Sequence, residues 1–150
     1  MRDAPPGAGV VAMLMLVTAF GTAAFWIGFF AGGEALHSSE SDVYRAFEHS
    51  FPVADAWMAA WAFAAGVGLL ARRRWAALAG VAAGSALVFL GLIDTTFDVE
   101  QGMYGRHSGA MAVETVINAF CLTVGPFAVW WFWRYGDALS SANVSRSAST

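Results

Sequence analysis

Four stretches of this chain, residues 10–31, 53–71, 75–93 and 115–133, contain between them a single charged side chain, Asp55. An α-helix rises 1.5 Å per residue, so about 20 apolar residues match the roughly 30 Å hydrocarbon core of a bilayer. Each stretch is close to that length, and short polar segments separate them. Only 13% of the 150 residues are charged and 58% are hydrophobic, whereas soluble domains carry about 25% charged residues. A membrane β-barrel would need segments of about ten residues with alternating polarity, and the chain has none. The expected fold is therefore all-α: an integral membrane four-helix transmembrane bundle forming one domain over 1–150. Residues 1–9 read as a lead-in, and 137–150, rich in Ser, Ala and Asn, as a flexible tail. The first apolar run exceeds the about 7–15 residues of a signal-peptide core, so it reads as a span.

Charge sets the expected orientation. The chain has no lysine; Arg2, Arg72, Arg73, Arg74, Arg134 and Arg146 fall at the N-terminus, the second loop and the C-terminal segment, with only Arg45 and Arg106 in the other loops. Short arginine-rich loops stay in the cytoplasm. Both termini are thus expected inside a plasma membrane, with loops one and three outside. Trp75, Trp130, Trp131, Trp133 and Tyr135 beside the arginines resemble an aromatic belt at the cytoplasmic interface. Cys121 is the only cysteine, which excludes an intramolecular disulfide and paired-thiol chemistry.

Loop one should contain a short interfacial helix. Ser41 can cap it, and Tyr44, Phe47 and Phe51 would share a face; Glu40, Asp42 and Glu48 read as solvated charges on it. Pro52 suits the first turn of span two. Helices in lipid associate through small residues. Candidates are Gly21, Gly28 and Gly32 on span one, and Gly80, Gly84 and Gly91 on span three. Ala59, Ala62 and Gly66 lie beneath Asp55, and Asn118, Cys121 and Gly125 beneath Glu114. These faces are expected to meet at a common helix contact. Gly84→Leu should then disturb folding more than Leu87→Ala.

Most acids, and His37, His49 and His107, belong to the outward loops or outer span ends. The histidines lack any local metal-ligand spacing, so no metal or cofactor is expected. Asp55, Asp94, Asp98 and Glu114 abut hydrocarbon, where a charge is costly and usually faces the bundle interior. Asp94 and Asp98 are four residues apart and share a helix face. Two carboxylates so placed share a proton or hold a cation. Asn118 should hydrogen-bond across helices. The candidate ligand-binding set is therefore Asp55, Asp94, Asp98, Glu114 and Asn118.

Phe51-Pro52-x-x-Asp55 and Asp94-x-x-Phe97-Asp98 followed by Gly102-x-Tyr104 resemble short motifs in a group of small bacterial four-span membrane proteins. The resemblance covers residues 44–104 and implies topology, but no activity. Small multidrug-resistance exporters share the size, but use a glutamate inside span one, and residues 10–31 have no charge. Sterol-isomerase-like proteins use a catalytic histidine that matches no span here. Three function classes follow. The first is an outward acidic, aromatic-lined pocket that binds or helps transport a cation, a proton or an amine-bearing lipid-like ligand. The second is an accessory subunit of a membrane complex, and the third an acid/base enzyme using Asp94, Asp98 and Asp55 on a lipid-like substrate. Expected partners are the lipid bilayer and a second copy or a larger membrane complex, with no nucleic acid.

Overall fold

The computed structural model describes residues 5–31, 41–105 and 108–147, with side chains to residue 139. Glu34, His37, Glu40, Gly32, Arg106 and His107 lie outside the described residues. Among the described residues five α-helices follow one another: α1 (Ala8–Phe30), α2 (Asp42–Glu48), α3 (Phe51–Leu70), α4 (Ala76–Glu100) and α5 (Gly109–Ser147). A 3₁₀ turn, Met103–Gly105, follows α4. No strand occurs among the described residues. Among these residues four helical segments are long and apolar enough to cross a membrane, counting α2 and α3 together.

Helix ends have local causes. Beyond α3, Arg72 adopts a left-handed φ of 51°. Its N–H donates to the Leu69 carbonyl (3.0 Å), and the Arg73 N–H to that of Gly68 (2.7 Å). This paired closure ends a helix sharply, and Trp75 packs over Gly68 in the turn. At the other end of α4, Gly102 takes a φ of 62° and donates to the Val99 carbonyl (3.2 Å). Both long helices flanking the third loop, α4 and α5, outrun their apolar cores. The third was expected to end at Ile93 and continues to Glu100; the fourth was expected to start at Thr115 and starts at Gly109. Hydropathy marks hydrocarbon thickness, whereas backbone hydrogen bonding continues through polar turns. The helix likewise runs on through Ser147, into the segment expected to be a flexible tail.

The extensive helix pairs are α1 with α3, α3 with α4, and α4 with α5. Small residues bring α4 and α5 into backbone contact. A Cβ on Gly84 would lie 2.9 Å from the Gly125 carbonyl oxygen, and one on Gly125 3.0 Å from that of Gly84. Phe132, fully buried, covers Gly80, and Cys121 covers Gly91. On α3, Gly66 packs instead on Leu16 and the Ala12 carbonyl of α1. The small-residue faces therefore form two separate contacts, α3 on α1 and α4 on α5, rather than one common contact. Gly21 is exposed with open space beside it, and Gly28 is half-buried.

Candidate functional site

The helix α2 completes a site at one end of the bundle. The Ser41 hydroxyl accepts the Tyr44 N–H (3.2 Å) and starts the helix, so Tyr44, Phe47 and Glu48 emerge toward the bundle. Tyr44 is buried with Met103 and Met111. Phe47 stacks on Phe97 with ring centroids 3.8 Å apart and planes 6° from parallel, and meets Phe51 edge-on at 4.8 Å. This aromatic seam holds α2 against α3 and α4 and carries Glu48 to 8% exposure. The expectation of a solvated Glu48 is corrected: it stands one helical turn after Tyr44, on the buried face.

Opposite Glu48, α4 and α5 run antiparallel. The register that pairs Gly80 with Phe132 and Gly91 with Cys121 puts Asp94 level with Asn118, and Asp98 level with Glu114. Ser108 supports the start of α5 by accepting the Met111 N–H (3.1 Å), one turn before Glu114. Asp98 is completely buried. One of its oxygens accepts the Asn118 amide (3.1 Å); the other, Oδ1, has no hydrogen-bond partner. Glu114 and Tyr104 adjoin the same carboxyl group. One carboxylate oxygen from each of Glu48, Asp94 and Glu114 lies within 4.8 Å of the others. At an effective dielectric of about 20, two full charges that close repel by about 3 kcal/mol. The cluster therefore needs a compensating proton or cation.

Asp55 faces a different space. The Trp26 indole N–H donates to its Oδ2 (2.8 Å), and Phe29 and Phe30 pack on that indole at 5.1 and 5.6 Å between ring centroids. Asp55 and Glu48 stand at one end of a cleft of about 360 Å³. Its remaining walls are mainly apolar, with Phe25 of α1, Met58 of α3, Leu90 of α4, and Ile117 and Phe120 of α5; the hydroxyls of Thr18 and Thr22, also in the lining, donate to carbonyls of their own helix. The helices α1 and α5 flank the cleft, and rim residues Val17 and Val116 are exposed. At the arginine end, the Trp131 indole N–H reaches the Pro6 carbonyl (3.3 Å) and ties the lead-in of α1 to α5. No known protein family, curated protein or solved structure matches the chain.

The five candidate residues thus divide. Asp94, Asp98, Glu114 and Asn118 sit together between α4 and α5, and Asp55 lines the cleft with Trp26. Glu48 belongs to both groups, and sequence reasoning missed it. Its spacing from Tyr44 was the available signal: four residues apart on a helix place two side chains on one face. His49 is exposed beside Phe29 and Phe30.

Proposed function

We propose that the chain is a multi-pass plasma-membrane protein, with both termini cytoplasmic and the α2 end outward, whose cleft takes up an amphiphile bearing a protonated amine. The cleft's shape carries this reading: a mainly apolar chamber walled by α1, α3, α4 and α5, ending on two carboxylates. Its volume falls within the range of about 300–1,000 Å³ usual for ligand pockets. An alkyl chain would enter between α1 and α5 from the outer leaflet, and its ammonium group would meet Asp55 and Glu48. Trp26 holds the Asp55 carboxyl toward the cleft and packs an aromatic surface beside it, which suits a cation as well. A glycine face left open to lipid would favour the accessory-subunit reading: on α4 that face is filled by α5, whereas Gly21 of α1 has open space beside it.

Binding of radiolabelled dodecylamine to the purified protein in detergent tests the proposal. Saturable uptake is expected, weakened at least about tenfold by Asp55→Asn, equivalent to about 1.4 kcal/mol. Dodecanol should not compete. Equal binding of the alcohol, or an unchanged affinity in Asp55→Asn, would overturn it. Topology has its own test. Reporter fusions within Arg72–Arg74 and after Thr150 should read cytoplasmic, and fusions near Ser39 or His107 external. An external C-terminal reporter would reverse the direction in which the cleft faces.

A further inference from the structure

We propose that Glu48, Asp94 and Glu114, with Asp98 behind them, bind one hard divalent cation of the calcium class. Glu48 is shared with the cleft, but the other donors, Asp94 and Glu114, lie on α4 and α5 away from it, and Asp55 is not among the donors.

Two independent observations converge on this site. The first is the approach of three carboxylate oxygens to within 4.8 Å of one another. Calcium takes oxygen ligands at about 2.3–2.6 Å, so oxygens on one ion are at most about 5 Å apart. Magnesium, at about 2.0–2.1 Å in a near-ideal octahedron, requires a tighter set. The donors are all oxygen, which selects a hard cation over zinc or copper. The second observation is Asp98. It is wholly buried, and Oδ1 has no hydrogen-bond partner, although Asn118 fixes the other oxygen. A cation beside Glu114 would give that oxygen its missing counter-charge.

The architecture also explains why no ligand spacing is visible in sequence. One donor comes from the short helix α2, one from the end of α4 and one from the start of α5, so the site assembles only when the aromatic seam seats α2. A bound ion would in turn tie α2 to the two spans.

Calcium titration of the metal-stripped full chain in detergent, followed by calorimetry, tests the site. One ion per chain is expected, with a dissociation constant of about 10⁻⁴–10⁻³ M, as in extracellular calcium modules. Asp94→Asn and Asp98→Asn should each weaken it at least about tenfold. Asp55→Asn should leave calcium affinity unchanged while losing dodecylamine, which separates this proposal from the cleft reading. Should either carboxylate variant fail to fold, terbium luminescence of the wild type decides. Emission excited through Tyr44 and Tyr104 should appear and be displaced by calcium. Absence of saturable calcium binding, or calcium affinity unaltered in folded Asp94→Asn and Asp98→Asn, would overturn the site and leave a proton shared by Asp98 and Glu114.

Discussion

Gly84→Leu is expected to cost about 3 kcal/mol or more of stability in detergent. Overpacking a core typically costs about 1–3 kcal/mol, because side chains shift to absorb it. Here little can shift. The new Cβ would meet the Gly125 carbonyl oxygen at 2.9 Å and the Val129 backbone nitrogen at 3.0 Å, both parts of a helix backbone. The whole of α5 would have to move outward, breaking the packing of Phe132 on Gly80 and of Cys121 on Gly91. Loss of the Asp98–Asn118 hydrogen bond would follow, since the same helix pair carries it. Phe89→Ala is the matched control, because Phe89 lies on the same helix and is exposed. Thermal unfolding in detergent should separate the two variants clearly. Leu87→Ala is a poor control: Leu87 is 1% exposed, so its truncation leaves a cavity costing about 2–5 kcal/mol. Similar small losses in Gly84→Leu and Phe89→Ala would show that α4 and α5 do not touch at this glycine.

Side-chain chemistry makes some features legible in the sequence alone. The four apolar helices, the cap at Ser41 and the membership of Gly80, Gly84 and Gly91 in one helix face all follow from local periodicity. Their partner does not. The glycines of α4 and the Ala62–Gly66 face of α3 look alike in sequence, yet one packs on α5 and the other on α1. Which faces meet depends on side chains distant in the chain, such as Phe132 filling the groove at Gly80. The carboxylates show the same division. Asp94 and Asp98 are recognisable as a pair from their spacing, but Glu48 reads as a surface charge until the stacking of Phe47 on Phe97 turns it inward. Asp55 was grouped with them because all sit near span ends. Its bond to Trp26 places it instead at the cleft, since α3 packs against α1.

Asn118→Leu is expected to destabilise the chain by about 3 kcal/mol, measured with excess chelator so that no cation can compensate. Interhelical hydrogen bonds in membranes average only about 0.6 kcal/mol, because helices in the unfolded state find other partners. The excess comes from what the amide contacts. Asp98 is completely buried and its Oδ2 accepts the Asn118 amide; leucine at that position would strip this donor from a carboxyl group that then has only Glu114 and Tyr104 beside it. Leaving a buried group without its hydrogen-bond partner typically costs about 1–3 kcal/mol, and more where the group is charged, whereas replacing both partners can be nearly neutral. The effect should therefore shrink to about 1 kcal/mol when Asn118→Leu is made in an Asp98→Asn background, where only a neutral amide is stranded. A double-mutant cycle on thermal or denaturant unfolding reads this difference directly, because residues in contact couple by about 0.5–3 kcal/mol. Equal costs in the two backgrounds would mean that Asn118 acts by packing alone. A strong coupling would instead show that the buried carboxylate is tolerated because α5 supplies its donor, one turn beyond the glutamate that completes the cluster.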